Sequence, residues 1–126
     1  MQKIIRIKRG IDVKLSGKVL DKITRFDAEY HAIKLKDFSF LTPKLLISIG
    51  DKVKIGTSLF HDKERETVTV VSPISGVIHE IRRGDKRHIE SIIIKNDFLN
   101  VAEPIAIPET LLRQEIITTL LQSGLW

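Results

Sequence analysis

The fold of this chain is decided by the stretch GDKVKIGTSLF at 50–60, together with VVSPISGVI at 70–78. Gly50 and Gly56 supply backbone angles that are closed to other residues, and the Asp51 side chain is the right length to close its own turn. Between the turns, valine, isoleucine and leucine alternate with polar residues, which is the period of a strand with one buried face. The stretch therefore predicts short strands joined by tight turns.

The same pattern continues on both sides of this stretch. Alternating or β-branched runs occupy 3–8, 30–36, 44–49, 66–71, 77–82 and 88–94, and turn residues separate most of them. Many short strands at close spacing predict a small sandwich or barrel. A length of 126 residues suits one compact domain. We therefore expect a mostly β domain over residues 1–100.

The sequence changes character after residue 100. Two prolines predict an extended connector, and from Pro108 onward apolar residues recur at helical spacing. Gly124 stands where a left-handed helix C-cap is expected. We interpret 101–126 as a connector and an amphipathic helix that begins a truncated following domain. The alternative is a helix that folds back on the barrel.

The composition excludes several kinds of chemistry. The chain has no cysteine, so disulfides, thiolate metal sites and a catalytic thiol are excluded within it. The four histidines have no metal-ligand spacing, and only His79 and His88 could meet across a hairpin. No phosphate-binding loop and no nucleophile with an adjacent base is visible, and no apolar run has the length of a membrane span. We therefore assign no catalytic, cofactor-binding or metal-binding residue.

A basic turn is the best candidate for a functional surface. It consists of Arg82, Arg83, Lys86 and Arg87, against the single acidic residue Asp85. These cations could bind an acidic protein subunit, anionic lipid headgroups or phosphates. The alternative is an ordinary solvated turn.

The motifs at 50–60 and 70–78 resemble the biotinyl/lipoyl carrier domain, a flattened β-barrel whose sequences carry G-D-x-V-x-x-G-x-x-L and S-P-x-x-G-x-V. By this resemblance the cofactor-accepting lysine would fall at Arg65, and a guanidinium cannot form the required amide. Lys63 lies close by. We interpret the chain as a carrier-like barrel without an attached cofactor. The alternative is a lipoyl or biotin carrier domain modified on Lys63.

The chain as a whole resembles the A subunit of the sodium-translocating NADH:quinone reductases. The resemblance rests on these two motifs together with IRIKRGID at 5–12, IRRGDKR at 81–87 and SGLW at 123–126. It implies the N-terminal barrel of a peripheral subunit on the cytoplasmic face of the bacterial inner membrane. The main partner that it implies is a membrane subunit, and quinone is a second, by a role proposed for this family. NADH, flavins and iron centres would belong to the other subunits.

Two further classes remain open from the sequence. One is the C subunit of the related ferredoxin-linked ion pumps, whose cysteine motifs would lie further along the chain. The other is a small nucleic-acid binder, suggested by the net charge of +5. Aromatic residues make up only 6% of the chain, which is thin for a surface that stacks bases. We therefore expect no nucleic acid among the partners.

Overall fold

Two antiparallel sheets curl around one apolar core in the computed structural model, which describes residues 9–10, 13, 16–17, 20–110 and 112–125. The strand predicted at 3–8 and most of the motif at 5–12 lie outside these residues. The larger sheet has the strand order β1-β7-β6-β3, and the smaller has the order β2-β4-β5. The strands are β1 (Tyr30–Lys34), β2 (Pro43–Leu45), β3 (Lys52–Val53), β4 (Ser58–Asp62), β5 (Thr69–Val71), β6 (Gly76–Arg83) and β7 (Ile89–Asn96). The prediction of a mostly β, flattened barrel with one C-terminal helix is confirmed.

The core lies between the two sheets, and its residues come from strands of both, in β4 and β7 partly from consecutive positions. The fully buried apolar side chains are Leu59, Phe60, Ile78, Ile92 and Ile94. Phe38 meets Phe60 edge to face, with 5.7 Å between ring centroids, an arrangement that aromatic pairs favour. The turn-rich stretch of the sequence thus supplies a large part of the packing.

The glycine turns behave as the sequence predicts. The Asp51 side chain accepts a 2.7 Å hydrogen bond from the Ser48 amide, and Gly50 adopts φ +94°. Gly76 is required for a different reason. A Cβ there would lie 2.0 Å from the Lys95 carbonyl oxygen across the sheet, so only a residue without a side chain permits this close pairing of β6 and β7.

The connector after residue 100 pairs with the barrel. Ile55 donates its amide to the Val101 carbonyl at 2.9 Å and accepts the Glu103 amide at 2.8 Å. The Val101 amide also donates to the buried Ser75 hydroxyl at 3.1 Å. Residues 101–103 therefore extend the β structure beyond the predicted domain limit at residue 100.

A single helix, α1 (Arg113–Gln122), closes the described chain. It begins at Arg113, so the predicted start at Pro108 was wrong: residues 109–110 form a bend, and Leu112 has extended backbone angles. The helix ends at Gln122, Gly124 just beyond it has φ +70° as predicted for the C-cap region, and the Leu125 amide donates to the Leu120 carbonyl at 2.9 Å. Thr69 of β5 donates its hydroxyl to the Leu121 carbonyl at 2.9 Å, so the end of the helix contacts the smaller sheet.

A candidate partner-binding groove beside the basic turn

The structure places the four predicted basic residues at one end of the larger sheet. Arg82 and Arg83 are the last residues of β6, and Lys86 and Arg87 lie in the 3-10 turn Asp85–Arg87 that leads into β7. All four are exposed. The hairpin thus gathers them around one tight connection.

The backbone of this turn has an unusual conformation for its sequence. Lys86 and Arg87 have φ values of +55° and +61°, and the His88 amide donates to the Asp85 carbonyl at 3.3 Å. Two consecutive positive φ angles are typical of hairpin turns built from asparagine and glycine. For other residues this conformation costs about 1 to 2 kcal/mol each. The turn therefore carries two long cations where the local backbone favours other residues.

The turn is held in place by its own flanks. Gly84 donates its amide to the His88 carbonyl at 2.9 Å, and His88 Nδ1 lies 2.6 Å from the Asp85 carbonyl oxygen. A Cβ on Gly84 would lie 2.2 Å from Glu90 Oε1, so the Glu90 and His88 side chains cover this glycine closely. The basic turn is therefore an exposed hairpin end held by hydrogen bonds within the hairpin.

A groove of about 890 Å³ opens beside the basic turn, and we call it the basic groove. Its walls come from the end of β1 with the 3-10 helix Leu35–Asp37, from residues 41–43, and from the hairpin of β6 and β7. Its cations are Lys34, Lys36, Arg82, Arg83 and Arg87, and Glu90 is its one carboxylate. Its apolar lining consists of Leu35, Leu41, Pro43 and Ile89.

Strand register explains how distant cations come together here. Ser91 of β7 pairs with Lys34 of β1 on one side and with Arg82 of β6 on the other. Directly paired residues project from the same face of a sheet, and adjacent strands lie about 4.8 Å apart. Lys34 and Arg82 therefore flank β7 on one face, roughly 10 Å apart at their backbones.

Most of these cations lack a partner carboxylate. Arg82 pairs with Glu80 at 3.2 Å, and both side chains are substantially exposed. Arg83 donates to the Arg87 carbonyl at 3.4 Å. Among the described residues, no ion pair involves Lys34, Lys36, Arg83 or Arg87. The basic groove therefore has an uncompensated positive charge that favours an anionic ligand.

The second predicted position, Lys63, lies at the shoulder of the hairpin between β4 and β5. Its amide donates to the Thr42 carbonyl at 2.8 Å, whereas the tip of the hairpin is the turn closed by the Val68 amide and the Arg65 carbonyl at 2.9 Å. The Lys63 side chain is exposed. Arg65 is the first residue of this turn.

Arg65 has a structural partner in this hairpin. Its Nε lies 2.9 Å from Oδ2 of Asp62, whose side chain is only 2% exposed. The Arg65 hydrogen bond lowers the pKa of Asp62, and the Thr42 amide at 3.1 Å contributes in the same direction against the opposing effect of burial. Arg65 thus compensates a buried carboxylate that would otherwise be costly.

The structure brings no other predicted group into a site. His79 lies beside Tyr30, at 5.0 Å between ring centroids, while His88 lies at the basic turn, so these two histidines do not meet. No cluster of three potential metal ligands occurs in the described ranges. No helix in the described part of the chain is both long and apolar enough to cross a membrane.

Sequence reasoning missed Lys34 and Lys36 as members of the basic groove. The alternation at 30–36 does place both lysines on one face of a strand. The sequence pattern does not show that β1 pairs with β7, and this pairing brings that face beside the basic turn.

The curled sheets, the glycine turns and the S-P-x-x-G segment together define a barrel-sandwich hybrid domain of the carrier-like type. Comparison with known families narrows this class. The model of the NqrA N-terminal barrel-sandwich hybrid domain matches residues 5–97, and the chain belongs to this family.

Curated relatives agree with this assignment. They are the A subunits of Na(+)-translocating NADH-quinone reductases, 32% identical in Pseudomonas aeruginosa (strain UCBPP-PA14), 35% in Cellvibrio japonicus (strain Ueda107) and 33% in Tolumonas auensis (strain DSM 9187 / NBRC 110442 / TA 4). Each alignment covers 98% of this chain and 29% of the relative. The chain therefore spans less than a third of the length of these relatives.

Proposed function

We propose that this chain is the N-terminal part of the A subunit of a sodium-translocating NADH:quinone reductase, where it is a non-catalytic docking domain. The complex would transfer electrons from NADH to quinone and export sodium. The family membership and the names of the relatives support this proposal. NADH, flavins and iron centres would be bound by other subunits of the complex, and quinone is a second partner proposed for this subunit. The protein would be peripheral on the cytoplasmic face of the inner membrane.

The basic turn is the surface that we propose for docking on a membrane subunit. The observation that carries this proposal is a hairpin end with two exposed cations in a costly backbone conformation, Lys86 and Arg87. Strain of this kind is retained where the surrounding structure enforces it, and it concentrates at functional sites. Because the cations are exposed, they suit an acidic partner surface and steer its approach.

Charge reversal of the basic turn tests this function. Arg83→Glu with Arg87→Glu, introduced into the full-length protein, should reduce its co-purification with the tagged membrane subunit by about tenfold or more at about 0.15 M salt. The matched control is Lys52→Glu with Lys54→Glu, which makes the same charge change at exposed residues outside the basic groove. Equal co-purification of both variants and the parent would overturn the docking role, provided that their thermal unfolding is unchanged.

We also propose the division of the chain into a barrel domain, 1–100, and a connector with a helix, 101–126. The change in sequence pattern supports this division. The pairing of Ile55 with residues 101–103 favours a boundary slightly later in the chain.

A further inference from the structure

The basic groove presents both cations and apolar side chains, whereas a surface that bound anions by charge alone would need only the cations. Its cations lie on the end of β1, on the adjacent 3-10 helix and on the β6–β7 hairpin. Its apolar lining includes Leu35, which is buried, and Leu41 and Ile89, which are partly buried against the core. The apolar surface is therefore part of the packed body of the domain.

The cations are distributed around the groove. Lys34 and Arg82 flank β7 on one face of the sheet, and Arg83 and Arg87 lie at the hairpin end. A spread of this kind suits several anionic groups held apart by a connecting structure. The single carboxylate, Glu90, leaves the overall charge of the basic groove strongly positive.

We propose that the basic groove binds an extended acidic segment of a partner protein, in which an apolar side chain lies between carboxylates. The carboxylates would pair with the cations, above all Lys34, Arg83 and Arg87, and the apolar side chain would lie against Leu41 and Ile89. This inference rests on the proposed docking function and adds the chemistry of the partner. A volume of about 890 Å³ is sufficient for a few residues.

The shape of the site favours a peptide over the other anionic ligands. A bilayer is a broad surface, so it would contact the exposed cations and leave the apolar lining of a concave groove uncovered. A free phosphate would satisfy one or two cations and would not use the apolar lining. An extended peptide projects side chains in several directions and can contact the cations and the apolar lining at the same time.

Binding of two synthetic peptides to the full-length protein tests the inference. The peptides are Glu-Glu-Leu-Glu-Glu and Glu-Glu-Ser-Glu-Glu, blocked at both ends and followed by fluorescence anisotropy at about 0.15 M salt. The leucine peptide should bind about fivefold more tightly than the serine peptide, the factor expected from partial burial of one leucine side chain. Equal affinities would overturn the inference, because the apolar lining would then play no part.

Variants locate the binding site. Arg83→Glu with Arg87→Glu should weaken binding of the leucine peptide at least about tenfold, whereas Lys52→Glu with Lys54→Glu should change it less than about twofold. An equal loss in both variants would show attraction by net charge alone and would overturn the proposal. Phosphatidylglycerol vesicles and inorganic phosphate are tested as competitors, and phosphatidylcholine vesicles are the control. Displacement of the peptide by phosphatidylglycerol but not by phosphatidylcholine vesicles would assign the basic groove to lipid headgroups, and displacement by inorganic phosphate would assign it to phosphate. Either outcome would overturn the proposal.

The inference and the docking function can fail separately. If co-purification depends on Arg83 and Arg87 but neither peptide binds, the inference fails and docking stands. If the leucine peptide binds as described but charge reversal leaves co-purification intact, docking through the basic turn fails.

Discussion

At the residue scale, Lys86 and Arg87 show a conflict between backbone preference and side-chain charge. Both have positive φ in a hairpin turn, where asparagine and glycine are favoured. Selection for stability alone would favour asparagine and glycine at these two positions. The positive charge of the two side chains is therefore the property of the turn that points to function.

Replacing the two residues should stabilise the domain. Lys86→Asn with Arg87→Gly relieves the left-handed conformation and should raise the free energy of unfolding by about 1 to 2 kcal/mol, as measured by urea denaturation. The control is Lys86→Gln with Arg87→Gln, which removes the same charges without relieving the backbone. A gain of the same size in the control would assign the effect to charge repulsion and contradict the backbone explanation.

Asp62 gives the domain a defined sensitivity to acid. Its pKa is lowered in the folded state, first by the hydrogen bond from Arg65. Stability from this carboxylate is therefore fully present above the unfolded pKa near 3.9, and it is lost as the pH falls through the lower folded value. Asp97, whose pKa is lowered by hydrogen bonds from Ser75 and the Leu99 amide, acts in the same direction.

Asp62→Asn should lower stability at neutral pH, because Arg65 loses its anionic partner, and should flatten the loss of stability between about pH 5 and pH 2. Urea unfolding at a series of pH values measures both effects. Asp37→Asn, at an exposed carboxylate with no ion pair among the described residues, is the control. An unchanged pH slope in Asp62→Asn would show that this carboxylate does not couple to folding.

At the element scale, strand and helix bounds can be predicted where the residues that determine them lie within the element itself. The predicted runs 77–82 and 88–94 agree closely with β6 and β7, because both are rich in isoleucine and valine and are separated by the turn residues Gly84 and Asp85. The run 66–71 loses its first residues to the turn closed by Arg65 and Val68, which β propensity does not detect. The late start of α1 was likewise not visible, since apolar spacing does not show where the backbone first turns helical.

The connector should contribute to the stability of the barrel. Ending the chain at Asn100 removes the hydrogen bonds that Val101 and Glu103 make with Ile55 and Ser75. Compared with a fragment ending at Pro108, we expect a free energy of unfolding lower by about 2 kcal/mol. Equal urea midpoints for the two fragments would instead support a domain limit at residue 100.

At the scale of the whole molecule, the sequence motifs identify the barrel and the basic turn, but not the groove beside it. Arg82, Arg83, Lys86 and Arg87 are close together in the sequence and could be found there. Lys34, Lys36 and the apolar lining join them only through the order of strands β1, β7 and β6. That order depends on tertiary packing, which a single sequence does not state.

The alternative of a lipoyl or biotin carrier domain can be tested on the protein itself. The proposed function predicts that protein purified from its native host has the intact mass of the unmodified polypeptide. By the resemblance to carrier domains, Arg65 would stand in place of the accepting lysine, and it is paired with Asp62. Mass spectrometry with peptide mapping across Lys63 measures this directly. A lipoyl or biotinyl group on Lys63 would restore the carrier function.

Strand β6 runs from the basic turn at one end of the barrel to the residues that hold the connector at the other. It comprises 8 residues and spans about 26 Å, with Arg83 of the basic turn at one end and Gly76, next to Ser75, at the other. Ser75 is buried, and its hydroxyl joins Asp97 to the Val101 amide, where the connector leaves the sheet. β6 is paired with β7 from Gly76 to Arg83, with register irregularities between Ile78 and Glu80 and between Arg82 and Arg83. Under the proposed docking function, a partner bound at Arg83 would therefore lie at the opposite end of β6 from the Ser75 contact with the connector.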